Sequence, residues 1–192
     1  PESGKQARGK LINNLIKLSN DEKVSTVIKV REFEENRKLF FITRDGKVKK
    51  TDLTLFANIN KAGIRALTLN GEDELTYIGL TSGNHKNEIF IATRNGVAIR
   101  FSEEDVRSMG RTAAGVKGID LRKDDIVVAA AIIDPAIGEE EFNKLSVLTV
   151  TEEGYGKRTK LDEYRVQSRG GKGIINLKIN EKTGKIVDVK IV

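Results

Sequence analysis

The feature that most constrains the fold of this chain is an internal repeat of about 50 residues. A segment with the pattern of a β-hairpin and a glycine in its turn occurs three times, as LFFITRDGKVKKTDL (39–53), EIFIATRNGVAIRFS (88–102) and SVLTVTEEGYGKRTKL (146–161). The turn glycines, Gly46, Gly96 and Gly154, are 50 and 58 residues apart. Repeats of this kind bury their apolar faces against one another, so the chain is predicted to be a series of packed blocks.

A second motif recurs between the hairpins. It contains a glycine followed by a basic residue and alternating apolar positions, and its copies are ARGKLINNLIKL (7–18), KAGIRALTL (61–69), AAGVKGIDL (113–121) and RGGKGIINL (169–177). We align the copies on Gly9, Gly63, Gly115 and Gly171, which are 54, 52 and 56 residues apart. Because two independent motifs share one period, each block is predicted to be one structural unit.

Each block has the pattern of about four β-strands. Asp45-Gly46 and Asn95-Gly96 are typical of the type I′ hairpin turn, in which both central residues have positive φ. Further strands are predicted at 22–30, 73–80, 124–133 and 184–192. Helix signals are few, and SEEDVRSMG (102–110) allows at most one capped turn. Four strands in a block of this size make a propeller blade, so we predict an all-β fold of propeller-like blades.

The repeat boundaries predict one repeat domain. We expect 1–30 to end a first blade, 31–80 and 81–133 to form two blades, and 134–192 to form a blade with a glycine-rich loop. These periods are fewer than the roughly four to eight blades of a closed propeller, so the blades form an open arc or their neighbours were removed. Since Met109 is the only methionine, we expect the chain to be a piece of a longer protein.

The composition restricts the possible chemistry. The chain has no cysteine, which excludes disulfides and cysteine nucleophiles and is typical of a reducing cytoplasm. The single histidine, His85, lies among turn-forming residues and is interpreted as a solvated loop residue. No apolar run approaches the ~18 residues of a membrane span, so no membrane partner is expected.

No motif in the sequence predicts an enzyme. RGGKGII lacks the first glycine and the Ser or Thr of a P-loop, and GYGKRT (154–159) has a threonine at the third glycine position of a dinucleotide-binding motif. The acidic pairs Asp73-Glu74 and Asp124-Asp125 recur at equivalent turns and are interpreted as structural. We therefore expect no catalytic residue, no cofactor and no metal in this chain.

Positive charge follows the repeat. The chain has 34 Lys and Arg residues against 28 Asp and Glu, a net charge of +6. In the glycine motifs the basic residues are Arg8, Lys10, Lys61, Arg65, Arg111, Lys117, Arg169 and Lys172. In the hairpins they are Arg44, Lys47, Lys49, Lys50, Arg94, Arg100, Lys157, Arg158 and Lys160. If rotation relates the blades, these cations form a belt that suits the phosphates of duplex DNA, although the charges alone fit an ordinary solvated surface equally well.

The glycine-rich loop QSRGGKG (167–173) resembles the QRRGGKG box of the family formed by the C-terminal domains of DNA gyrase A, with Ser168 in place of an arginine. EYRVQSRGGKGI, GRTAAGVKGIDL, ARGKLINNLIKL and GYGKRTKLDEY also resemble blade segments of that family. The resemblance covers essentially the whole chain.

This resemblance implies a β-pinwheel, a ring of propeller-like blades that exchange strands. It also implies a non-catalytic domain that wraps double-stranded DNA for an ATP-dependent type II topoisomerase and so supports negative supercoiling. The implied partners are the catalytic part of the same gyrase A polypeptide and the gyrase B protein. The implied location is the bacterial cytoplasm, on the chromosome, and we expect this chain alone to be a monomer.

In the family the full box lies in the first blade, before a segment like ARGKLINNL. Residues 167–173 therefore resemble a later, degenerate copy of the box. In this copy Arg169 and Lys172 would bind phosphates, and the backbone of Gly170, Gly171 and Gly173 would approach them closely. Two alternatives remain open, namely the C-terminal domain of the related topoisomerase IV A protein and a propeller-like scaffold that binds proteins.

Overall fold

The computed structural model describes residues 4–19, 22–60 and 62–192 of the chain, and within them nearly all regular structure is β. The strands are β1 Lys38–Thr43, β2 Lys47–Asp52, β3 Leu75–Leu80, β4 Glu88–Thr93, β5 Val97–Ser102, β6 Val116–Lys117, β7 Val127–Ile133, β8 Ser146–Thr151, β9 Gly156–Lys160, β10 Ile174–Ile175 and β11 Ile186–Ile191. The α-helix described is α1, Glu139–Lys144, and short 3₁₀ turns lie at Ile12–Asn14, Leu53–Phe56, Glu103–Asp105, Pro135–Ile137 and Leu161–Glu163. The predicted all-β class is confirmed.

The strands form three antiparallel sheets, each built on one of the predicted hairpins. The first sheet has the order β3-β1-β2-β6, the second β10-β5-β4-β7 and the third β11-β8-β9. At one edge of the sheets, β7 packs against both β3 and β11. The short strands β6 and β10 lie at the opposite edge, which we call the rim.

Neighbouring sheets exchange a strand at the rim. β6 comes from the block that follows the first hairpin and pairs with β2, with Val116 opposite Val48. β10 pairs in the same way with β5 of the preceding sheet, with Ile174 opposite Ala98. Each block therefore completes the sheet before it, as the β-pinwheel resemblance implied.

The exchanged strands also correct the alignment of the glycine motifs. Gly118 N–H donates to Gly46 O at 2.8 Å, and Asn176 N–H makes the equivalent bond to Gly96 O at 2.9 Å. Gly115 lies three residues before Gly118, and Gly173 lies three residues before Asn176. The counterpart of Gly115 is therefore Gly173 and not Gly171. A Cβ at Gly115 or Gly173 would lie only 2.6 or 2.5 Å from a carbonyl oxygen of the preceding hairpin. Only glycine permits so close a backbone approach, and both residues have positive φ.

The hairpin turns differ from the type I′ prediction. Gly46 N–H donates to Thr43 O at 3.0 Å, and Gly46 has a φ of 78°. Among the described residues, His85 and Asp124 are the ones with a side chain and positive φ, so Asp45 and Asn95 lack it. The loop between β1 and β2 therefore has three residues and ends on a left-handed glycine, which is the next most common hairpin geometry.

Three of the four further strands are confirmed, as β3, β7 and β11, but the strand predicted at 22–30 is wrong. The described residues of that segment have no regular structure, although Ile28 and Val30 pack against the buried cluster around Phe41. In the other blocks this strand pairs with the hairpin that precedes it, and the described residues before 22 form no hairpin. An apolar, alternating segment without a partner can pack but cannot form a ladder.

The core lies between adjacent sheets. Phe40 and Ile42 of the first sheet and Ile89 and Ile91 of the second are at most 1% exposed and share one cluster. Phe90 turns to the opposite face and packs with residues of the third sheet. Burial of each such side chain contributes about 1.5–3 kcal/mol. The middle sheet is thus covered on both faces, and this determines which of its charged residues reach solvent.

Candidate nucleic-acid interface

The predicted basic belt divides into buried, ion-paired and outward-facing residues. Arg100 belongs to the first group, with a side chain that is 7% exposed. Its guanidinium binds the Glu88 carboxylate at 2.6 Å and donates to the carbonyl oxygens of Leu161 and Tyr164, each at 3.0 Å. These contacts tie the second sheet to a 3₁₀ turn of the third, and the prediction that Arg100 binds DNA is therefore contradicted by its burial.

Lys49 is also wrongly placed on the predicted DNA surface. The residue is 1% exposed, and its ammonium donates to the carbonyl oxygens of Ala66, at 2.6 Å, and Arg111. Burial lowers the pKa of Lys49 to about 8, because desolvation disfavours the charged form. Lys49 therefore holds two loops in place and is not available to a phosphate.

Lys50 occupies the position in the first sheet that Arg100 occupies in the second. It lies opposite Phe40 as Arg100 lies opposite Phe90, and its Nζ donates to Glu103 O at 2.8 Å. Burial lowers the pKa of Lys50, and the nearby Glu103 charge partly opposes that shift. Lys50 and Arg100 therefore recur at equivalent positions because each makes a contact between blades.

At the hairpin turns, arginines form ion pairs. Arg94 lies 2.7 Å from Glu152 of the next blade, and Arg44 lies 3.5 Å from Glu74. The hydrogen bond from Arg94 lowers the pKa of Glu152. Both arginines are about half exposed, so these pairs are weak and screened by salt.

Lysines of three successive blocks meet at the rim beside the first hairpin. Lys47 and Lys117 face each other across β2 and β6, and they line an open cavity of about 320 Å³ with Gly115 and Asp120. Lys172, from the glycine-rich loop, is exposed and lies close enough for its charge to affect Asp120. We call Lys47, Lys117, Asp120 and Lys172 the rim corner. Like charges that face each other across a ladder cost stability unless an anion joins them.

The glycine-rich loop packs directly on the preceding copy of its own motif. Gly170 N–H donates to Gly118 O at 2.7 Å, and Asp120 N–H donates to Gly171 O at 2.9 Å. The Gly170 N–H is therefore used within the fold and does not project towards a ligand as predicted. Gly173 packs against Ala98, so its closest neighbour is protein backbone.

Arg169 is partly engaged within the protein. Its Nε donates to Asp105 O at 3.0 Å, and a second guanidinium nitrogen donates to Lys117 O. Because a guanidinium has five N–H donors, these bonds orient the group and leave further N–H donors available to a phosphate. Met109 N–H donates to Lys50 O, and Gln167 N–H donates to Arg100 O, the equivalent position of the next hairpin. Arg111 and Arg169 each lie two residues further along the chain and are therefore counterparts.

The remaining candidates face outward. The exposed ones are Arg8, Lys10, Arg65, Lys157, Arg158 and Lys160. Lys157 contacts Asn176 O at 3.3 Å, while Arg158 and Lys160 line an open cavity with Lys144. Lys61 lies outside the described residues.

Sequence reasoning missed two exposed arginines, Arg107 and Arg165. Each arginine is followed by a residue that forms an isolated β-bridge to the preceding hairpin. After Arg107, Ser108 bridges to Lys50, and after Arg165, Val166 bridges to Arg100. They are 58 residues apart, which is also the spacing of Gly96 and Gly154, and this shared offset is the signal that could have identified them.

Two properties of the described part of the chain bear on function. Residues 4–19, 22–60 and 62–192 contain no group of three or more His, Cys, Asp or Glu side chains that could hold a metal ion. In the same residues, no helix has the length and apolar character needed to cross a membrane.

Comparisons with known proteins agree with this architecture. A family model described as the DNA gyrase C-terminal domain, beta-propeller, matches residues 1–31, 37–82, 87–134 and 146–192. The DNA gyrase A subunit of Lawsonia intracellularis is 45% identical over 190 residues, which is 99% of this chain and 22% of that protein. The chain thus spans about a fifth of the length of this relative.

Two solved structures have the same fold. The C-terminal domain of DNA topoisomerase IV aligns with a TM-score of 0.84 and 30% identity, covering 96% of this chain and 55% of that one. The DNA gyrase A C-terminal domain aligns with a TM-score of 0.81 and 27% identity, covering 97% of this chain and 59% of that one.

Proposed function

This chain belongs to the DNA gyrase C-terminal domain family, and we propose that it is a non-catalytic module that binds and wraps double-stranded DNA for a type II topoisomerase. The observation that carries the proposal is the rim corner, where Lys47, Lys117 and Lys172 of three successive blocks converge. Strand exchange brings Lys47 and Lys117 opposite each other, whereas Val97 and Ile175 occupy the equivalent positions of the next sheet, so the lysine cluster distinguishes this corner of the rim.

The physical basis of binding is the neutralisation of phosphates. Each lysine or arginine that contacts a phosphate releases condensed counterions, so affinity falls as salt rises, whatever the base sequence. The exposed or partly exposed residues that we assign to this role are Arg8, Lys10, Lys47, Arg65, Arg111, Lys117, Lys157, Arg158, Lys160, Arg169 and Lys172, joined by Arg107 and Arg165. Lys49 and Arg100 instead hold the loops and blades that position these side chains.

Wrapping follows from the placement of the cations on a curved rim. A duplex that touches successive blades must bend, and the phosphate contacts compensate the cost of bending. As part of a longer gyrase A polypeptide, the module would act with the catalytic part of that polypeptide and with the gyrase B protein, in the bacterial cytoplasm. There it would support negative supercoiling.

Two alternatives were open from the sequence. The topoisomerase IV alternative is not favoured, because the gyrase A relative is 45% identical over nearly the whole chain, whereas the topoisomerase IV domain is 30% identical. A protein-binding scaffold has the same β architecture but does not require lysines of three blocks to meet at the rim. Salt dependence of DNA binding distinguishes a scaffold from a DNA-wrapping module.

The test is an electrophoretic shift of a long duplex of neutral sequence at several salt concentrations. We expect Lys117→Met/Lys172→Met to weaken binding to all sequences alike and to flatten the plot of log affinity against log salt by about one to two units. The control, Lys86→Met/Lys190→Met, removes the same charge from the loop between β3 and β4 and from β11, the edge strand opposite β9, and should leave the slope unchanged. Absent or salt-resistant binding of the wild-type chain would favour the scaffold.

A further inference from the structure

An acidic residue lies within the rim corner. The Asp120 carboxylate is 2.7 Å from the Lys117 ammonium, and the two side chains are 42% and 62% exposed. A phosphate that binds Lys117 must therefore compete with a carboxylate that already holds it. An exposed pair of this kind is weak and screened by salt, so DNA can displace it.

The position of Asp120 is fixed by backbone contacts with the glycine-rich loop. Asp120 N–H donates to Gly171 O at 2.9 Å, one residue from Lys172. The hydrogen bond from Lys117 is the largest cause of the lowered pKa of the Asp120 carboxyl, and the charge of Lys172 adds to it. The carboxylate is thus charged at neutral pH and acts on two of the lysines that we assign to DNA.

The fold does not require an acid at this position. Asp120 follows Ile119, whose N–H bonds to Gly46 O, and Lys178 follows Leu177, whose N–H bonds to Gly96 O. Lys178 is therefore the counterpart of Asp120 in the next block, and it is exposed. The same backbone geometry carries opposite charges in the two blocks.

We propose that Asp120 is a built-in competitor of DNA phosphate that weakens the wrap at the rim corner. The inference rests on the proposed DNA-binding function. When the duplex leaves, Lys117 returns to Asp120, so release costs less than it would from a lysine without a partner. At the next block Lys178 replaces the acid, and Val97 and Ile175 occupy the positions of Lys47 and Lys117.

The variant that tests this inference is Asp120→Asn, which keeps the shape of the side chain and removes its charge. We expect the affinity for a neutral-sequence duplex to rise about three- to tenfold at about 50 mM salt, with a steeper salt slope, because Lys117 then binds a phosphate without first leaving a carboxylate. Asp120→Lys, which copies Lys178, should raise the affinity further. Glu139→Gln in α1 removes the same charge from the opposite end of the strands and should change affinity less than twofold.

A double-mutant cycle locates the effect. In the Lys117→Met background, Asp120→Asn should produce less than half of its effect on log affinity, since the competed lysine is gone. If the wild-type chain binds DNA with a steep salt dependence but Asp120→Asn and Asp120→Lys bind no tighter, the competitor role is wrong and the DNA-binding function stands. If the wild-type chain shows no salt-dependent binding, the proposed function fails, and this inference with it.

Discussion

Replacing Arg100 with methionine removes a contact between blades that the sequence pattern had assigned to DNA. The guanidinium joins the Glu88 carboxylate at 2.6 Å to the carbonyl oxygens of Leu161 and Tyr164 in the next blade. In Arg100→Met the methylene stem remains, but the Glu88 side chain, which is only 17% exposed, loses its partner. Removal of one partner from a buried ion pair costs about 3–5 kcal/mol, because the other charge is left unpaired away from water.

The assay is equilibrium unfolding in urea, followed by far-UV circular dichroism. For an m-value of about 2 kcal/mol/M, a loss of 3–5 kcal/mol lowers the unfolding midpoint by about 1.5–2.5 M. Arg158→Met is the matched control, because Arg158 lies opposite Leu148 in the third sheet as Arg100 lies opposite Phe90 in the second. Arg158 is exposed, so its replacement should change the free energy of unfolding by less than about 0.5 kcal/mol.

Two results would refute this reasoning. If Arg100→Met left the unfolding midpoint unchanged and lost DNA affinity, Arg100 would be a phosphate ligand after all. If Arg158→Met destabilised the chain as much as Arg100→Met, the assignment of one arginine to the interior and the other to the surface would be wrong.

Two further predictions concern the interior. The free energy of unfolding of the wild type, relative to that of Lys49→Ile, should rise on the order of 1 kcal/mol between pH 7.5 and 9.5. The reason is that the pKa of Lys49 is about 8 in the folded chain and near 10.5 in the unfolded chain, so the unfolded chain binds more protons in this range. A pH-independent difference in urea unfolding would contradict a buried, desolvated ammonium. Gly115→Ala should lower the free energy of unfolding by more than about 2 kcal/mol. The control Gly63→Ala, at a similar positive φ but with no neighbour within 4 Å, should lower it by about 1–2 kcal/mol. Equal losses in thermal unfolding would argue against the close approach of β6 to Val48.

The sequence predicts the hairpins because their information is local. The aromatic and β-branched residues of Phe40–Thr43 and Ile89–Ala92, followed by a glycine, specify two strands and a turn within a few residues. They do not specify the turn type, because type I′ and the three-residue loop both use a glycine with positive φ. Only the backbone bonds of Gly46 and Gly96 distinguish them.

The exchanged strands could not be predicted, since β6 and β10 have two residues each and pair with hairpins more than sixty residues away. For the same reason the glycine motif was aligned on Gly171 when the close contact is made by Gly173. The burial of Lys49 and Lys50 was equally hidden, because VKKTD has the pattern of an exposed strand. Both faces of that strand are covered by neighbouring segments, and carbonyl groups of distant loops (Ala66, Arg111 and Glu103) satisfy the ammoniums.

The central claim is that this chain bends DNA around its rim, and the most direct test is the linking number of a nicked circular plasmid ligated in its presence. The account predicts a shift of one sign that grows with protein concentration, is lost in Lys117→Met/Lys172→Met and is retained in Lys86→Met/Lys190→Met. Binding of the plasmid with no change in the topoisomer distribution after ligation would contradict wrapping.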